Sequence, residues 1–274
     1  MYYSHHHLAE LAMSIGRRKF IQGEWAWIGE HILTPCAVGA LGRQCWVVPQ
    51  GLFRPLFPVI GLLISLLLAF LRCRSFLTET TGKSPRRKPY NECGLLGGAS
   101  LGAIAHLVIT LSGRQEAYLA RFIALAAGLA AMVIVTFNDY RAQQERAELY
   151  IFGLFPWLTA IKLGVLGDWL ITRLPIHGRF VMADQSTVSL VILAAMASLL
   201  AFPRRSIIGR GRSGGAYPAL QGTSSERALF NWGGYIGPGI LLVLTITAGW
   251  VYFALLAWGL LLWGEGLSYY QLSS

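Results

Sequence analysis

Apolar residues in this chain run in long blocks, not in the alternation of a half-buried strand or the narrow stripe of a soluble amphipathic helix. Six blocks stand out, roughly Leu56–Leu71, Gly94–Ser112, Tyr118–Phe137, Leu149–Ile171, Thr187–Phe202 and Ile236–Trp263, with polar or basic segments between them. A hydrocarbon core takes about 20 apolar residues as helix, and most of these blocks approach that length. Backbone polar groups in lipid must be satisfied within the chain, which leaves helices as the economical solution. The pattern therefore predicts an all-α fold: a polytopic transmembrane helical bundle of about seven spans, six clear and one weak near the N-terminus.

The weak span follows from the distribution of charge. Lys and Arg are retained in cytoplasmic loops. The loop after Leu71 carries Arg72, Arg74, Lys83, Arg86, Arg87 and Lys88, and the loop after Phe202 carries Arg204, Arg205, Arg210, Arg212 and Arg227. The segments 73–92 and 203–234 are thus expected to be basic cytoplasmic loops of a single membrane-embedded domain covering 1–274. Arg141 and Arg146 fall on the same side. With six spans only, Arg17, Arg18 and Lys19 would lie outside. Taking Ile32–Val48 as a seventh span removes that conflict and leaves sixteen basic residues inside, against five outside: Arg54, Arg114, Arg121, Arg173 and Arg179. The expected threading is N-terminus in, C-terminus out, with a re-entrant or interfacial helix over 24–48 as the alternative.

Composition sharpens the class. The 274 residues are 54% hydrophobic and 13% charged, about half the charge a soluble domain of this size carries on its surface. The net charge of +10 would suggest nucleic acid in a soluble protein. In a chain of apolar blocks it reads instead as loops that orient helices and meet anionic lipid headgroups. The four cysteines, Cys36, Cys45, Cys73 and Cys93, show no Cys-x-x-Cys spacing and are read as unpaired thiols. His5, His6 and His7 form a tract on a terminal tail with no fixed geometry, so no metal site is expected. Trp25, Trp27, Trp157, Trp169, Trp232, Trp258 and Trp263 fit interfacial anchoring.

Two sets of residues within the blocks need a reason. Gly94, Gly98, Gly102 and His106 recur every four residues on one helix, and Ala120, Ala124 and Gly128 do so on the next. Small residues at this interval let backbones approach closely in lipid, so the two stripes are expected to face one another. The second set is ionisable. Lys162, in the middle of WLTAIKLGVLGDWLITR, costs roughly 2.5–3.5 kcal/mol to place at a bilayer centre. Asp168, six residues on, is rotated by about 240° on an α-helix, so the two should find separate partners. Arg43 is the candidate partner of Asp168. Lys162, Asp168, His106 and Arg43 are the intramembrane polar candidates, either as interhelical ties or as a polar pathway.

Several chemistries are excluded by spacing. Asp139 in VTFNDYRAQ has no second aspartate for a two-carboxylate mechanism, because Gly209-Arg210-Gly211-Arg212 carries arginine where one would be needed. Ser100 in GGASLGAIAH has no histidine in a later block, and His177 falls in a loop. Gly209–Gly215 lacks the Lys-Ser/Thr ending of a phosphate-binding loop. No cofactor is expected, since a bound haem would need paired histidines on facing helices. The expected function is an integral membrane subunit, a scaffold or channel component of a larger assembly such as a transport or secretion machine in a bacterial inner membrane. Other membrane subunits are its expected partners. The alternative is a membrane-embedded transporter or enzyme acting on a hydrophobic or anionic substrate, and whether the chain is catalytic stays open.

Overall fold

A computed structural model describes residues 25–45, 53–78, 90–112, 118–142, 155–173, 185–201 and 232–273, and every regular element among them is helical. In chain order these are α1 (25–45), α2 (Phe53–Thr78), α3 (Tyr90–Leu111), α4 (Tyr118–Ala142), α5 (155–173), α6 (Gln185–Ala201), α7 (232–248) and α8 (Val251–Ser273). Arg17, Arg18, Lys19, the histidine tract and most of the two basic loops lie outside the described residues. Two helices are long and apolar enough to cross a membrane, over Arg54–Cys73 and Cys93–Leu111, and shorter apolar stretches occupy Tyr118–Ile134, Val188–Leu199, Trp232–Ala248 and Val251–Leu267.

The helices form two groups that share α1. One core joins Ala37 and Leu41 of α1 to Val59 and Leu62 of α2, Leu96 and Ala103 of α3, and Ala124 of α4. The other joins Ile28, Ile32 and Cys36 of α1 to Leu163 and Trp169 of α5, Val191 of α6, Leu242 of α7 and Leu261 of α8. The first group is built on alanines and glycines, which shortens the distance between axes. The second is built on larger side chains. α1 and α5 cross where two glycines meet: a Cβ added to Gly164 would lie 2.8 Å from the Cα of Gly39 and 2.9 Å from the backbone nitrogen of Ala40. No side chain fits at either position.

The glycine stripe of α3 is only partly an interface. A Cβ on Gly102 would sit 3.1 Å from the Cα of Ala124, so here α3 and α4 do touch backbone to backbone. Gly98 makes an ordinary contact with Ala127, and Gly94 meets nothing. Gly128 turns away from α3 and packs on Val38 of α1. Two helices crossing at an angle stay close only near the crossing point, and that point lies at Gly102.

The block read as one span, Ile236–Trp263, is two helices. Gly249 adopts φ 71°, its N–H bonds the Thr245 carbonyl at 3.0 Å, and the chain reverses. This left-handed cap suits glycine because it carries no Cβ to clash. α7 and α8 then run antiparallel, with Gly234 against Gly264 and Gly237 near Leu260. Near the N-terminus the described helix covers 25–45, taking in Trp25, Glu30 and His31; it begins ahead of the expected span at 32–48 and close to the start of the alternative helix at 24–48, whose last residues lie outside the described ones.

Alongside these apolar cores, several ionisable side chains are buried and many large apolar ones are exposed. Glu30, Asp168 and His106 are fully buried and Lys162, Arg54, Arg121 and Glu265 nearly so, while Leu67, Phe70, Leu101, Leu119, Phe122 and Leu199 are exposed. Trp169 and Trp258, expected at interfaces, lie within the core group or against it, whereas Trp157, Trp232 and Trp263 are exposed. Cys73, near the end of α2, and Cys93, near the start of α3, place their sulfurs 3.2 Å apart as thiols.

Two outcomes test this packing. Gly102→Leu should force α3 from α4 and destabilise the purified protein by about 1–3 kcal/mol, the range for overpacking, whereas Leu101→Ile at an exposed site should melt like the parent. Oxidation of the membranes with copper–phenanthroline, which removes two electrons and two protons from neighbouring thiols, should join Cys73 to Cys93. Trypsin cuts after the basic residues between them, so the two fragments should stay linked until reductant is added. Fragments that separate without reductant would refute the α2–α3 contact.

Candidate functional site

Two buried polar clusters contain the ionisable residues that the sequence singled out. The first lies at the end of the bundle where α1 and α5 finish and α2 and α4 begin. Asp168, on the last two turns of α5, accepts from Arg43 Nη1 at 2.5 Å and from Gln44 Nε2 at 2.7 Å, both at the end of α1. Arg54, in the first turn of α2, donates through Nε and Nη2 at 3.1–3.3 Å. Gln44 Nε2 also donates to the Arg54 carbonyl at 2.7 Å. One carboxylate therefore ties three helices, and an ionised acceptor makes these the stronger kind of hydrogen bond. Arg121, in the first turn of α4, donates through Nη1 to the Gln44 carbonyl and lies over the Tyr118 ring, 5.1 Å from its centroid. His106, late in α3, lies in the electrostatic field of Arg121.

The second cluster is centred on α5. Residues Ala160–Val165 form a π-turn within the helix, flanked by α-helical Phe155–Thr159 and Leu166–Arg173. Such a turn holds one more residue than an α-turn and redirects the side chains after it. Lys162 lies in it and donates to Glu265 Oε1 of α8, while Thr159 Oγ1 donates to Glu265 Oε2 at 3.0 Å. The widened turn also brings the Leu163 carbonyl within reach of Trp258 Nε1, at 2.8 Å. Lys162 and Glu265 are 2% and 3% exposed, so the pair is fully desolvated. A third pair, Arg72 with Glu30, joins the end of α2 to the start of α1.

Lys162 and Asp168 thus have separate partners, and Arg43 does reach Asp168. The 240° rotation was reckoned on a regular α-helix; the π-turn adds slack to it, yet the two side chains still leave on different faces. Five participants were not among the sequence candidates: Glu265, Thr159, Arg54, Gln44 and Arg121. Glu265 lies just beyond the apolar block that ends at Trp263. Arg54 stands two residues before the apolar block that begins at Leu56, and Arg121 falls inside the block that begins at Tyr118, although both are counted with the outer connections. His106 bonds Thr110 on its own helix and does not join the Asp168 set. Among the described residues no group of three or more His, Cys, Asp or Glu could hold a metal ion.

In comparisons with known proteins the chain matches no family model, no curated protein and no solved structure.

Breaking a buried pair leaves an uncompensated charge, at a cost of about 3–5 kcal/mol, whereas removing both partners together is close to neutral. Lys162→Met should therefore lower the melting temperature of the purified protein sharply. Lys162→Met with Glu265→Met should regain most of the loss. The two single variants and the double variant form a thermodynamic cycle that isolates the coupling; additive losses would refute the pairing.

Proposed function

We propose that the chain, with eight helices among its described residues, is an integral membrane protein that serves as a non-catalytic subunit, a scaffold or channel component, of a larger membrane assembly. The observation that carries this reading is the use made of the costly charges. Lys162 and Asp168 are each spent on a neighbouring helix, through Glu265 and through Arg43, Arg54 and Gln44. A transport pathway or an acid–base site would keep such groups facing a cavity. The exposed apolar surface supports the membrane setting: Lys162 and Asp168 lie inside, while Leu67, Phe70, Leu101 and Leu119 are exposed.

The hairpin at Gly249 changes the expected threading. With 236–263 as two crossings, an N-terminus inside puts the C-terminus inside too. The basic segments 73–92 and 203–234 stay cytoplasmic, and the Asp168 cluster falls at the outer face. A bacterial inner membrane is the setting that best suits this distribution of Lys and Arg. The competing reading, a transporter or enzyme for a hydrophobic or anionic substrate, has one observation in its favour: polar atoms near Arg121 that have no hydrogen-bond partner among the described residues.

The test has two parts. Carbonate washing should leave the chain in the membrane pellet, and a C-terminal fluorescent-protein fusion should fluoresce while an alkaline-phosphatase fusion stays inactive. Purification from native membranes in mild detergent should then bring down other membrane chains in fixed ratio. A chain that is released by carbonate defeats the membrane assignment. One that purifies alone, at its own mass plus detergent, defeats the subunit assignment.

A further inference from the structure

Three buried side chains at the outer end of the bundle hold atoms that have no hydrogen-bond partner among the described residues: Arg121 Nε, His106 Nε2 and Gln44 Oε1. Arg121 is 3% exposed, and among the described residues no carboxylate contacts it. Asp168, at the same end, is already shared by Arg43, Arg54 and Gln44. Arg121 also feels Arg54 as a like charge. A buried guanidinium beside another cation, with no anion among the described residues, is costly, and such groups are retained where something neutralises them.

The histidine specifies what that something carries. Thr110 Oγ1 gives its one hydrogen to the His106 carbonyl at 2.8 Å. In its 3.3 Å contact with the ring it must then accept, so His106 Nδ1 holds the proton. A neutral His106 therefore presents Nε2 as a bare lone pair, an acceptor. Gln44 Oε1 is an acceptor as well, because its Nε2 is committed to Asp168 and the Arg54 carbonyl. Between them the three residues offer one cationic donor and two acceptors.

We infer that Arg121, His106 and Gln44 form a site for a phosphate-type oxyanion that also bears a hydroxyl: the anionic oxygen bonds Arg121 Nε–H and the O–H turns to His106 Nε2 or Gln44 Oε1. Monoprotonated phosphate monoesters and dihydrogen phosphate have this chemistry, and so does a phosphodiester with a neighbouring hydroxyl, as in a phosphatidylglycerol headgroup. Sulfate and the phosphatidylcholine headgroup have the charge without the hydroxyl. The inference goes beyond the scaffold reading and does not depend on it.

The test uses the full chain, purified in a neutral detergent, melted at fixed ionic strength while one additive is titrated. Inorganic phosphate against sulfate forms one arm, and phosphatidylglycerol against phosphatidylcholine in mixed micelles forms the other. A ligand that binds only the folded state raises the melting temperature in a saturable way. The expected result is a saturable rise with phosphate, with phosphatidylglycerol or with both, and little with sulfate or phosphatidylcholine; the arm that responds identifies the source. Arg121→Lys, which keeps the charge but loses Nε, and His106→Phe, which keeps the ring shape but loses Nε2, should each weaken the response about tenfold or more. Arg72→Lys, at the opposite end, should leave it unchanged. A parent protein that responds to neither phosphate nor phosphatidylglycerol, or to sulfate equally, overturns the site whatever the variants do. So does a response that survives undiminished in both site variants.

Discussion

The carboxylate of Asp168 is the point on which this architecture turns. It is fully buried, and it gathers two side chains from the end of α1 and one from the start of α2 onto α5. α1 is the seam between the two helix groups, so this single acceptor joins them. The glycines at the α1–α5 crossing make the knot geometrically possible. With Gly39 and Gly164 in contact, the last turns of α1 and α5 stay close enough for a short aspartate to reach across. A bulky residue at either glycine would separate the very side chains that neutralise one another.

The other ionic ties follow the same logic at other levels of the bundle. Glu30 with Arg72 closes α1 on α2 at the opposite end, and Lys162 with Glu265 closes α5 on α8. In water such pairs contribute little. Where the surrounding surface is leucine and phenylalanine, apolar burial does not discriminate between one helix face and another, and a mismatched charge does. We read the ionic pairs as the specification of which helices are neighbours and in what rotation, with the alanine- and glycine-rich contacts of α2, α3 and α4 filling the space so defined.

Helical class and the separate fates of Lys162 and Asp168 were legible in the sequence, because apolar run length and residue spacing are local properties. The hairpin was not. A window of hydropathy passes smoothly over Thr247, Ala248, Gly249 and Trp250, and the reversal depends on one backbone angle at one glycine. The limits of the glycine stripe were hidden for a related reason. Spacing of four says which residues share a face, but the crossing angle decides which of them touch, and only Gly102 is near the crossing. Arg54 and Arg121 were misplaced because a basic residue at the edge of an apolar run looks the same whether it faces water or turns inward to a carboxylate or a carbonyl.

α1 presents a problem of timing. It is the most polar of the buried helices, with Glu30, His31, Thr34 and Gln44 all enclosed and Arg43 at its end nearly so. Yet Arg43 is separated from Asp168 by 125 positions along the chain. At ribosomal speeds of about 5–20 residues per second, that gap is roughly 6–25 s of synthesis. For that interval Arg43 has no counter-charge, although Glu30 on the same helix meets Arg72 after only 42 positions. Among the described helices α1 is thus made first and completed late, once Asp168 of α5 has arrived to receive Arg43.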